Sequence, residues 1–154
     1  MSNQLPTDYQ AFIHKSRYAK YFDGKGRESW GETVGRYMDN VVRRVTGDNS
    51  YIDDIEQAIL GQEIMPSMRA MMTAGPALDR DNTAGYNCSY LPVDDPKSFD
   101  EAMYILLCGT GVGFSVERQF ISKLPEVPEL FESDSIVVVK DSKEGWAKGF
   151  RQVL

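Results

Sequence analysis

Cysteine and histidine are nearly absent from this sequence: Cys88, Cys108 and His14 are the whole supply. Two thiols without paired spacing make neither a disulfide scaffold nor a zinc site. No metal centre is expected, and a chemically active cysteine here acts as a thiol. With one histidine, set beside Lys15 and Arg17 and read as a solvated surface residue, a Ser-His or Cys-His catalytic pair is hard to build. No basic stripe is present either. The net charge of -6 is spread along the chain, which argues against a nucleic acid polymer as partner. No stretch approaches the roughly 18 apolar residues of a membrane span, and the start, MSNQLPTDYQAF, lacks a cationic segment leading into an apolar run. The expectation is a cytoplasmic protein with no membrane attachment.

What is present is the composition of a folded domain. Hydrophobic residues at 42% and charged residues at 26% exclude disorder, and the length allows one modest core. Residues 1–64 read as a helical region. Ser29 and Glu32 form a capping-box pattern, and behind it Trp30, Val34, Tyr37, Val41 and Val45 recur at helical spacing. Gly47-Asp48-Asn49 breaks that helix, and a second is predicted from Tyr51 to Leu60 with Ile52, Ile55 and Ile59 on one face. From residue 65 the character changes. A Met-rich segment, Met65 to Met72, reads as adaptable core packing, and Gly75 to Gly85 reads as a loop. A short strand is predicted around Tyr86 to Leu91 and a helix with Phe99, Ala102, Met103 and Leu106 on one side. A strand at Val112 to Val116 follows, then a loop from Leu124 to Ser133 and a buried apolar strand at Ile136 to Val139. Asp141 and Glu144 can cap a last helix whose Trp146, Phe150 and Val153 form a stripe that nothing later in the sequence covers. Alternating strands and helices suggest an α/β sheet or barrel.

Few residues carry chemistry. Cys88, in Tyr-Asn-Cys-Ser-Tyr, stands on a predicted strand directly after a Gly-rich loop; it is either a functional thiol or a small buried hydrophobe. Cys108 precedes Gly109-Thr110-Gly111-Val112-Gly113. That run is neither a phosphate-binding Gly-Lys-Ser loop nor a dinucleotide fingerprint, and it is either a ligand-approaching backbone or a tight helix-to-strand turn. Ser67 and Arg69 offer a hydroxyl and a guanidinium to a phosphate, with a plain N-cap as the other reading of Ser67.

Taken in order, MPSMRAMMTAG, RDNTAGYNCSYLPV, LLCGTGVGFSVER and VVVKDSKEGWAKGF resemble the start of the catalytic chain of class II, adenosylcobalamin-dependent, ribonucleotide reductases. The resemblance runs from about Ser16 to the last residue. It implies an N-terminal helical region (1–64) followed by the first strands and helices of a ten-stranded α/β barrel (65–154), incomplete in this chain. It also implies thiyl-radical chemistry that removes the 2′-hydroxyl of a ribonucleotide, with Cys88 as the first of two redox cysteines. Ser67, Asn87, Ser89, Gly111 and Gly113 are then implied substrate contacts, and Asp94 and Asp95 lie where a deoxynucleotide effector binds in many reductases, a helix cap being their other reading. Cys108 has no catalytic counterpart and is left as packing. No ATP-cone pattern is present.

The same resemblance implies that the radical cysteine, the second redox cysteine, most of the cobalamin site and the C-terminal dithiols lie beyond Leu154. The remainder of the reductase as a second polypeptide, and a thioredoxin-like reductant, are therefore expected partners. The rival expectations are a non-catalytic nucleotide-binding fragment, or a reductase segment of another radical class.

Overall fold

The chain folds as two units, one ending at Gly85 and the other beginning at Tyr86, and a computed structural model describes residues 5–47 and 50–154. In the first unit, α1 (Asp8–Ile13) runs into a π-helical turn at His14–Tyr18, and a small antiparallel hairpin follows, β1 (Tyr21–Phe22) with β2 (Gly26–Arg27). Next comes α2 (Trp30–Tyr37), which continues through a π-helical turn at Met38–Val42 into α3 (Arg43–Thr46). The predicted capping box is formed: the Ser29 hydroxyl accepts from the Glu32 amide and the Glu32 carboxylate accepts from the Ser29 amide, satisfying two otherwise orphaned donors.

Trp30, Val34 and Met38 pack with Ile52 and Ile59 of α4 (Ile52–Leu60) and with Met71 of α5 (Met68–Thr73) to make the core of this unit. The apolar stripe follows its prediction through Tyr37, which packs against the core, and differs beyond it. The π turn winds more residues per turn than an α-helix, so Met38 and Val42 keep facing the core while Val45 is turned out, 81% exposed. Gly47, at φ +66, ends α3; Asp48 and Asn49, the rest of the expected break, lie outside the described residues.

Three further expectations for this unit are corrected. His14 is not a surface residue. It is 5% exposed, edge-on to the Trp30 ring and 2.9 Å from the Thr33 hydroxyl. Of the methionines, Met71 is fully buried, but Met65, ahead of α5, and Met68, at its first position, are about half exposed. The stretch read as a Gly-rich loop is largely helical, with α6 (Pro76–Arg80) and a 3-10 turn at Asn82–Gly85. Pro76 at the first helical position has its φ preset for a helix.

A buried ion pair holds these pieces together. Arg36 makes two bonds to Glu28, at 2.7 and 2.8 Å, and donates to the carbonyls of Tyr18, Met71 and Ala74. One guanidinium thus satisfies three chain segments at once.

The second unit is built on β3 (Cys88–Pro92), α7 (Lys97–Leu107) and β4 (Gly111–Ser115), with β3 and β4 parallel. Parallel neighbours require a crossover, and α7 supplies it. Then come α8 (Arg118–Ile121) and α9 (Lys143–Val153), the latter packed on α7 with Ala147 beside Asp100 and Tyr104. Arg151 of α9 is ion-paired with Asp100, a buried residue of α7. The cap of α9 is Ser142, whose hydroxyl accepts from the Gly145 amide, rather than the expected Asp141 or Glu144; Asp141 instead accepts from the Trp146 indole at 3.3 Å.

The strand expected at Ile136 to Val139 is not formed. Ile136 and Val138 are 87% and 90% exposed and the segment makes no ladder. An apolar run becomes a buried strand only when neighbours pair with it and cover it; here only Val139 touches down, against Gly149. Of the expected α9 stripe, Trp146 and Val153 are exposed, while Phe150 is half-buried.

Candidate functional site around Cys88

The alternation of a strand sends successive side chains to opposite faces, and this divides β3 and β4 cleanly. Leu91, Val93, Val112, Phe114 and Val116 face α7, where with Phe99 and Leu106 they line an apolar groove of about 440 Å³. Phe99 and Leu106, on the predicted apolar side of α7, are therefore only partly covered. Cys88 and Tyr90 point to the other face.

That face is bare. Cys88 is exposed and pairs in register with Gly111, and Tyr90 pairs with Gly113. Neither glycine has a positive φ, and a Cβ added at either would meet a carbonyl only at ordinary contact distance, 3.5 Å from Asn87 and 3.6 Å from Ser89. Local folding does not require glycine at these two positions. What their absence of side chain provides is open backbone beside the thiol, of the kind that lets another molecule come close. Cys88 lies at the start of its strand, held by the bond from the Gly111 amide to the Asn87 carbonyl at 2.9 Å.

The other residues singled out from sequence divide as follows. Asn87 is exposed, next to Cys88. Ser89 falls on the α7 side of the sheet, and its hydroxyl donates to the Gly111 carbonyl at 3.1 Å. Asp94 is ion-paired with Lys123 at 3.1 Å, and Asp95 accepts from the Lys97 amide at 2.8 Å at the start of α7. Both carboxylates have local work, Asp95 in a side-chain turn one residue ahead of Pro96, the N-cap of α7. Ser67 belongs to the first unit. It occupies the N-cap position of α5 and is exposed, and its hydroxyl makes no cap bond. Cys108 is buried at the end of α7, with the Lys143 ammonium 3.1 Å from its sulfur, in keeping with a packed residue.

The residue pattern does not single out Thr110. It is 1% exposed, and its hydroxyl donates to the Tyr86 carbonyl at 2.9 Å. The only signal is a β-branched polar residue set between two glycines. No group of three or more metal-ligating side chains occurs among the described residues, and no described helix is long and apolar enough to cross a membrane.

No family model and no curated protein matches the sequence. Among solved structures, the chain is similar to one described as a B-12 dependent (class II) ribonucleotide reductase, with a TM-score of 0.68 and 18% identity. The match covers 89% of this chain and 28% of that one. The likeness is one of fold: a mixed α/β chain similar to a segment of that enzyme, spanning little more than a quarter of its length.

Proposed function

We propose that this chain is the N-terminal part of a ribonucleotide reductase, contributing one redox cysteine and part of the nucleotide pocket, and that the remainder of the enzyme is supplied by further polypeptide. The observation that carries this reading is the placement of Cys88: exposed, at the start of a parallel strand, with a glycine opposite. The fold likeness and the motif order support it from independent directions.

In this reading a thiyl radical on the absent portion activates the ribose. Cys88 and a second cysteine, also on that portion, then give up two electrons and two protons. The 2′-hydroxyl leaves as water, and the two sulfurs close a disulfide. A thioredoxin-like dithiol reduces that disulfide for the next turnover. The closure demands that the sulfurs meet within narrow geometry, which a strand-borne thiol serves better than one on a loose loop. Ser67, Asn87, Gly111 and Gly113 are proposed on the substrate side, Ser89 there through its backbone alone, since its side chain faces α7, and Asp94 and Asp95 are proposed near an effector.

Adenosylcobalamin is the proposed radical source, and its binding is proposed to lie mainly on the absent portion. His14, the one imidazole, is buried against Trp30 and hydrogen-bonded to Thr33, and is not offered to a cofactor.

The test is reconstitution with a polypeptide carrying the rest of the reductase. Adenosylcobalamin-dependent formation of deoxyribonucleotide over many turnovers, lost in Cys88→Ser, is the expected result. Nucleotide binding unaffected by Cys88→Ser and without reduction would favour a non-catalytic binding fragment. Activity that ignores added cobalamin would assign the chain to another radical class.

A further inference from the structure

We infer that Thr110 is a positioning residue for Cys88, an inference that rests on the reading of Cys88 as a redox thiol. The β3–β4 pairing begins at Cys88 and Gly111, with the Asn87 carbonyl accepting from the Gly111 amide at 2.9 Å, so Tyr86 lies one residue ahead of the ladder. Thr110 supplies a partner there, its hydroxyl donating to the Tyr86 carbonyl at 2.9 Å. Its own amide donates to the Ile105 carbonyl in the last turn of α7 at 3.2 Å. The residue is therefore fixed from the helix side and grips the strand from the other. Gly109, at φ +87, makes the turn that brings the chain from α7 to this point, a conformation that a side chain would strain.

The chemistry explains why the residue is threonine. Thr110 is fully buried, where valine would fill the same volume and suit a strand equally well. Valine would remove the bond that ties the Tyr86 carbonyl to the turn between α7 and β4, a loss of one intramolecular hydrogen bond. The hydroxyl is thus the functional part of the side chain. What it secures is the two residues leading into Cys88, at the N-terminal edge of the second unit. A thiol that must meet a second sulfur within the 4.4–6.8 Å Cα window of a disulfide gains from a strand start that does not fray.

Thr110→Val and Thr110→Ser in the full chain separate the hydroxyl from the packing. Amide hydrogen exchange at Asn87, Cys88 and Ser89 is expected to accelerate roughly tenfold in the valine variant, as for loss of one hydrogen bond, and to return to near the native rate in the serine variant. Exchange in the middle of α7 and α9 should not change. In the reconstituted reductase the valine variant should lower kcat by about tenfold and leave the nucleotide KM within about twofold. Native exchange rates in the valine variant would overturn the inference, as would a uniform acceleration through the unit that serine fails to correct, or a rise in KM alone. Should the valine variant not fold, Thr110→Ala read against Thr110→Ser decides the matter by the same exchange rates. If Cys88→Ser keeps full multiple-turnover activity, the redox reading fails, while the exchange result still stands or falls by itself.

Discussion

His14 and Glu28 sit a hydroxyl apart: Thr33 donates to Glu28 at 3.1 Å and lies 2.9 Å from His14. Because that hydroxyl gives its proton to the carboxylate, it takes one from the imidazole, so Nε2 is a protonated nitrogen of His14. Burial pushes the His14 pKa below its ordinary 6.5, and Lys15 and Arg36 add to the shift against the opposing pull of Glu28. Burial pushes the Glu28 carboxyl up, but the bonds from Arg36, the Lys20 amide and Thr33 outweigh it and hold the group below its ordinary 4.5. The two shifts act in sequence as pH falls. Below about 6.5 the unfolded chain takes up the histidine proton first, so stability drops until the folded imidazole titrates; the contribution of Glu28 is present above 4.5 and is lost as pH falls through its depressed folded value. Urea unfolding of the chain should therefore show a midpoint that declines from neutral pH toward pH 5, and His14→Gln should flatten the upper part of that decline. A slope identical in the variant would rule His14 out as its source. None of this was legible beforehand: a histidine flanked by Lys15 and Arg17 reads as solvated, and only the π-helical turn, which the local pattern does not announce, rotates it inward.

At the scale of elements, α9 depends on having almost no side chain where it meets its neighbours. A Cβ at Gly145 would lie 2.1 Å from the Lys140 carbonyl oxygen, and one at Gly149 would lie 2.6 Å from a methyl of Val139. The first obstacle is backbone and cannot step aside as a side-chain tip can. Gly145→Ala should therefore cost the second unit on the order of 1–3 kcal/mol through forced backbone shifts, read as a lowered unfolding midpoint. An unchanged midpoint would mean that the turn at Lys140 to Ser142 yields easily. Sequence reading did well with elements that carry their own start signals. Ser29 with Glu32 announces α2, and the alternation through Cys88 to Leu91 announces β3. It failed for Ile136 to Val139, where strand character depends on neighbours rather than on the residues themselves. It also failed for α6, where Gly75 and Asp81 mask a helix that Pro76 begins.

At the scale of the whole molecule, large apolar side chains lie open along the second unit. Ile136, Val138, Phe131, Leu130 and Val153 are each more than 70% exposed, and Trp146 is half exposed. A run of unpaired β-branched residues is a template for pairing with another chain. Alone in solution the protein should self-associate as its concentration rises, and Val138→Lys should raise the concentration at which light scattering detects it. Equal scattering from the variant would place the association elsewhere. The motif order made the class of fold readable, because it concerns which elements follow which. The bare face around Cys88 was readable only in part: Gly111 and Gly113 stood out as residues, but their register against Cys88 and Tyr90 is a property of the paired strands.

The unladdered stretch between α8 and α9 has one more consequence. Its backbone from Pro125 to Lys140 is nearly all open to solvent, and a protease should cut there before anywhere within α7 or β4. The severed tail would not drift off, because Ala147 and Gly149 are buried and Arg151 remains clasped by Asp100. Nicked protein should travel as one particle on a sizing column and part into two fragments only in denaturant.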